Sequence, residues 1–118
     1  MHFRWSYEHD RELLSRILAD EVTSHLPAPR VLRRTMMKRR QRQSFVVRDG
    51  VDESTSPHVE SGYLAALDAM SAMLAARPFL LGTAPSIADY GMMGPMFRHF
   101  GQDPTPAEIM RSRTPAVF

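Results

Sequence analysis
Between Pro57 and Pro78 the chain carries one unbroken helical pattern, and no other stretch constrains the fold as much. Val59, Tyr63, Leu67, Met70 and Leu74 recur at three- and four-residue intervals, which lays them on one face of an α-helix. Ala65, Ala66, Ala69, Ala72 and Ala75 add the strongest helix former. Ser56-Pro57 reads as a cap followed by proline at the first helical position, where a missing N–H costs nothing. Arg77-Pro78 ends the run. The spacing predicts a helix over 56–76.

The same reading extends along the chain. Leu13, Leu14, Ile17, Leu18 and Val22 form an apolar stripe in a helix from Tyr7 to Leu26, with Glu8, Asp10 and Glu12 at its N-terminal dipole end and Pro27 and Pro29 beyond it. A second helix spans Arg30 to Ser44, with Val31, Leu32, Thr35, Met36 and Phe45 expected to face inward. Residues 46–55 read as a loop around Gly50. Another helix starts at Ser86 and runs to Phe100, with Gly101 as the expected left-handed terminator. Thr105-Pro106-Ala107-Glu108 resembles a capping box for a short helix, and Thr114-Pro115 opens one more turn. The only strand hint is Phe45-Val46-Val47. These signals predict an all-α helical bundle, a single domain over 1–118.

Composition removes several classes of chemistry. The absence of cysteine excludes disulfides, thiolate catalysis and cysteine-ligated zinc within this chain. No apolar run approaches the roughly 20 residues that span a bilayer, and the N-terminus lacks a signal-peptide core, so no membrane role and a cytoplasmic location are expected. His2, His9, His25, His58 and His99 make no metal-binding spacing, so no metal site is predicted. Nucleotide loops and nucleophile elbows are absent too. No catalytic residue can be assigned.

Ser86-Ile87-Ala88-Asp89 is the sharpest local motif. Serine with an acid three residues on, ahead of an apolar helix, is the capping-box pattern, and Pro85 and Tyr90 can add a hydrophobic staple. Asp89 could serve as an acid in catalysis; a cap partner of Ser86 is the commoner role. Gly91 and Gly94 lie inside the same helix and point to close packing of a neighbour. Pro95 removes one backbone bond and should bend it. Met92, Met93 and Met96 are either core or the wall of an adaptable pocket.

Charge is unevenly placed. Arg30, Arg33, Arg34, Lys38, Arg39, Arg40 and Arg42 fall in a stretch with no acid between Glu21 and Asp49. Such a helix can meet an anionic ligand, an acidic partner or nucleic acid phosphates, or it can be a solvated face. A net charge of only +2 and the lack of interleaved aromatics argue against nucleic acid.

From Leu74 to Phe118 the order of motifs resembles the C-terminal helical domain of glutathione S-transferases: Arg-Pro-Phe-Leu-Leu-Gly, a short turn, Pro-Ser-Ile-Ala-Asp-Tyr, a glycine-containing helix, Gly-Gln-Asp-Pro, then Arg-Thr-Pro-Ala-Val. Gly94-Pro95 and Asp103-Pro104 look like its bacterial-type branch. Residues 5–44 fit two long antiparallel helices without a specific motif. The resemblance implies a thioredoxin-like N-terminal domain ahead of Met1 that binds glutathione and activates its thiol. It also implies a further helix after Phe118, so the chain reads as truncated at both ends. This half would supply an apolar wall for the electrophile, with Trp5, Tyr7 and Arg11 as candidate substrate contacts, Ser86 and Asp89 as the structural capping box, and homodimer contacts. Glutathione would be cosubstrate of the intact protein and no cofactor of this chain alone. The competing expectation is a non-enzymatic interaction module of the same shape.

Overall fold
A computed structural model describes Met1–Phe118, and six α-helices and two π-helical turns make up most of its backbone. They are α1 (His2–Ser6), α2 (Glu8–Val22), α3 (Arg30–Arg42), α4 (Ser56–Ala76), α5 (Ile87–Pro95) and α6 (Pro104–Arg113). The π turns, π1 (Gln43–Val47) and π2 (Met96–Phe100), continue α3 and α5 directly. There is no strand, only one isolated bridge between Phe79 and Gly82. The all-α class is therefore observed, and Phe45-Val46-Val47 is π-helical rather than extended. The chain forms two compact units, Met1–Pro57 and His58–Phe118.

In the first unit, the helix expected from Tyr7 is preceded by a separate one. Tyr7 takes an extended backbone, φ −78° and ψ 129°, and breaks α1 from α2. This brings Trp5, fully buried, against Met37 and Val46, with Met1, Leu18 and Val51 packed around them. The stripe on α2 is only partly used: Leu14 is buried, whereas Leu13, Ile17 and Val22 are exposed. On α3 the expected inward residues face outward, with Val31 at 74% exposure, and Met37 is the one buried side chain. The π turn explains the next mismatch. An extra residue in the helical turn moves the core-facing position by one, so Val46 is buried and Phe45 is 41% exposed. Gly50 then takes φ +76°, the only left-handed residue in the chain.

The cap that leads into α4 is Asp52, not Ser56. Its Oδ1 accepts from the backbone N–H of Ser54 (2.8 Å) and Thr55 (3.0 Å), and Ser56 N–H already bonds back to the Asp52 carbonyl. In the second unit, Tyr63, Leu67 and Met70 are the buried face of α4, as the spacing predicts. Tyr63 stacks on Phe100 with ring centroids 4.4 Å apart and donates its hydroxyl to the Pro106 carbonyl at 2.9 Å. Burial pushes its phenol up to about 12. Arg113 forks onto Asp68, at 2.9 and 2.7 Å, and ties α6 to α4. The start of α6 is also corrected. Its N-cap is the buried Asp103 with Pro104 at the first position, two residues ahead of the Thr105 motif. After Thr114 the chain makes a single closing turn, with Val117 N–H on the Thr114 carbonyl.

Pro95 and Gly101 shape the end of α5. Without an N–H, Pro95 cannot bond the preceding turn, and the chain leaves α geometry for π2 at the next residue. Gly101 closes that turn by donating to the Met96 carbonyl at 2.6 Å. Its φ is −73°, so it is not a left-handed terminator. Glycine is needed there for space: a Cβ would lie 3.0 Å from the Met96 carbonyl oxygen and 3.3 Å from that of Phe97. Gly91 and Gly94 are the reverse case. Added Cβ atoms would meet nothing within 4 Å, so no neighbouring helix packs closely on them.

Candidate functional site
The second unit holds a methionine-lined cleft of about 640 Å³, within the size range of small-molecule sites. α4 contributes Met70, α5 Met92 and Met93, π2 Met96, and α6 Met110. It forms because α5 buries none of its residues. The apolar side chains of that helix therefore remain available, and the π turn carries Phe97 into the same wall. The sequence singled out three of these methionines; Met70 and Met110 come from helices distant in the chain. Unbranched thioethers adapt to irregular ligand shapes. Arg111 lies over the Phe118 ring, 4.4 Å from its centroid, at the cleft wall.

Asp89 also lines the cleft, and its role is structural. The capping box with Ser86 is present. Asp89 Oδ2 accepts the Ser86 N–H (2.8 Å) and Oγ–H (2.7 Å), while Oδ1 accepts the Leu80 N–H at 2.8 Å. No local sequence pattern marks this last bond, which joins residues nine apart. It fastens the Phe79–Gly82 turn to the start of α5. Hydrogen bonding from Leu80 first, then Ser86, holds the carboxyl below its usual range. Three donors on its two oxygens give the carboxylate the role of a structural tie between the Leu80 turn and the start of α5. Pro85 and Tyr90, the residues expected to staple the helix start, are both exposed.

The three candidate substrate contacts are dispersed. Trp5 is core, with no exposed surface to offer a ligand. Tyr7 sits at the break between α1 and α2, part of an aromatic group with His2 and Phe3. Arg11 alone lines a hollow, and that hollow belongs to the basic helix.

This second cavity, about 480 Å³, lies within the first unit between α2 and the end of α3. Lys38, Arg39 and Arg42 line it with Arg11, and Gln43 and Val47 of π1 close one side. Its one acidic residue is Glu12. Lys38 and Arg34 donate to Glu12 at 2.7 and 3.1 Å, and the Lys38 bond above all holds that carboxyl low. Asp20 is similarly engaged by Arg30 and, at 4.0 Å, Arg33. Thus each cavity is bordered by a π turn, a geometry that often occurs at functional sites.

No group of three or more histidines and carboxylates comes together as a metal-ligand set, and no helix is long and apolar enough to cross a membrane. No family model, curated protein or solved structure matches the chain.

Proposed function
We propose that this chain is a helical substrate-side module of the glutathione S-transferase kind: it receives an apolar electrophile, and a thioredoxin-like N-terminal domain activates the thiol. The methionine cleft is the observation that carries the reading. Its walls offer apolar, adaptable contact and no serine, tyrosine, histidine or cysteine. Its two charged groups are occupied, Asp89 by Leu80 and Ser86 and Arg111 by the Phe118 ring. Such a site binds and orients; it has nothing with which to lower a thiol pKa. In this reading glutathione is the cosubstrate of the intact, cytoplasmic, homodimeric protein, and the chain alone does not catalyse.

The test has two parts. An apolar chloronitrobenzene should bind the chain, and Met93→Glu, at an exposed position of the cleft, should weaken binding at least about tenfold, since a charge would face the apolar ligand. Glutathione conjugation by the chain alone should not exceed the uncatalysed rate. Turnover above that rate, lost on Tyr7→Phe, would refute the division of labour. Absence of chloronitrobenzene binding would refute the cleft as the substrate wall.

A non-enzymatic interaction module is the second reading. Exposed Ile17, Val31, Leu32 and Met36 in the first unit favour it, because apolar side chains in such number mark contact surfaces. Sedimentation showing a compact monomer at micromolar concentration, together with a cleft that ignores apolar ligands, would select it.

A further inference from the structure
The basic helix has no part in an apolar cleft, and its charges are sorted into two sets. Arg30 and Arg33 turn to Asp20, and Arg34 and Lys38 to Glu12. Arg39 and Arg42 have no ion-pair partner, and Arg11 biases the ionisation of Glu12 without pairing with it. Arg40 is likewise exposed and unpaired but stands outside the hollow, whereas Arg11, Arg39 and Arg42 all line it. Four cations therefore face one carboxylate there, and Arg34 draws on that carboxylate from outside the lining. An excess of this kind costs stability through mutual repulsion unless an anion joins it.

The chemistry of that anion follows from the donors. Guanidinium forks match phosphate oxygens two at a time, and three of them can serve more than one phosphoryl group. No aromatic side chain lines the hollow, so it has no platform on which a nucleobase could stack. Its reading is confined to charge and phosphate geometry. We propose that this hollow is a binding site for a compact polyphosphoryl anion, a soluble small molecule with two or three adjacent phosphoryl groups. It is independent of the methionine cleft, which lies in the other unit.

Calorimetric titration with inorganic tripolyphosphate tests this, with orthophosphate as the single-phosphoryl control. Tripolyphosphate should bind at least about tenfold tighter than orthophosphate, with affinity that falls as salt rises. Arg39→Gln with Arg42→Gln should weaken it at least about tenfold. Both side chains are exposed and free of ion pairs, so the far-ultraviolet circular dichroism should stay that of the parent. Arg39→Lys with Arg42→Lys should fall between, since charge is kept and the fork is lost. Arg98→Gln, an exposed arginine in the second unit, should leave affinity unchanged. The proposal is overturned if tripolyphosphate binds no tighter than orthophosphate, or if Arg98→Gln weakens it as much as the double variant. It is equally overturned if a short single-stranded RNA binds the hollow more tightly than tripolyphosphate.

Discussion

Adding one methyl group at Gly91 and at Gly101 should move stability in opposite directions, although the first lies within α5 and the second caps the π turn that continues it, only ten residues on. At Gly91 the new Cβ meets nothing within 4 Å, and the residue is helical and exposed. Alanine there gains what glycine loses in backbone entropy, about 0.5–1 kcal/mol. At Gly101 the Cβ would sit 3.0 Å from one backbone oxygen and 3.3 Å from another, and neither can swing aside as a side chain would. Forcing a methyl into occupied space costs about 1–3 kcal/mol, against which about 0.4–1 kcal/mol returns from the stiffer unfolded chain. A net loss of about 1 kcal/mol results. Urea melts of both variants would measure this, with the slope unchanged if only stability moves. Asparagine separates crowding from backbone conformation. Were Gly101 left-handed, Gly101→Asn would outperform Gly101→Ala; at φ −73° it should do no better. A neutral Gly101→Ala, or rescue by asparagine, would refute the steric account of π2. Gly50, the one left-handed residue, is the position where asparagine should be the better replacement.

Ser86→Ala should lower stability by about 1 kcal/mol in the same melts, the usual loss for an N-cap. Asp89→Asn should do more harm, because Asp89 anchors the Leu80 turn as well as the cap. Its carboxyl is held below its ordinary pKa near 3.8, so its contribution is complete above that value and disappears as pH falls through the lowered one. Melts between pH 7 and 2 should show this acid loss reduced in Asp89→Asn. Tyr63→Phe should cost about 1 kcal/mol for the lost bond to Pro106. Ultraviolet titration should find Tyr63 ionising at about 12, so the stability tied to its neutral form is full below pH 10 and declines as pH rises toward that value.

The elements that were legible in the sequence are those whose signals are local. The α4 stripe was read from Tyr63, Leu67 and Met70 because a long regular helix keeps its period throughout, and Ser86-x-x-Asp89 was read because capping depends on neighbours three residues away. Other features depend on contacts that the local pattern does not encode. Five residues are too few to show a helical period and nothing in Tyr7 marks an extended break, so the pattern starts the helix at Tyr7, leaves α1 out, and offers Trp5 to a substrate wall instead of the core. The one-residue offset at π1 lacks a proline to announce it and exchanged Phe45 for Val46. Pro95 did announce a bend, though not that the bend would be π2. Apolar residues on α3 were read as inward, yet the short α1 supplies much of the core and leaves Val31, Leu32 and Met36 outside. The arginine run was plain from the start. Its division into paired and unpaired members required knowing which of them reach Asp20 and Glu12.

Trp5 is the only tryptophan, it is fully enclosed, and its indole N–H has no hydrogen-bond partner in the protein. Its neighbours Met37 and Val46 belong, like it, to residues 1–57. The chain thus carries a fluorophore that reports on one unit and is silent about the other. Residues 58–118 have their own optical label in the stacked Tyr63–Phe100 pair. With Tyr7, the one tyrosine of the first unit, replaced by phenylalanine, the red shift of indole emission and the loss of the tyrosine near-ultraviolet dichroism become two separate clocks on one denaturation curve. If they keep the same time, the two units melt as one cooperative body; if they diverge, each has a lifetime of its own.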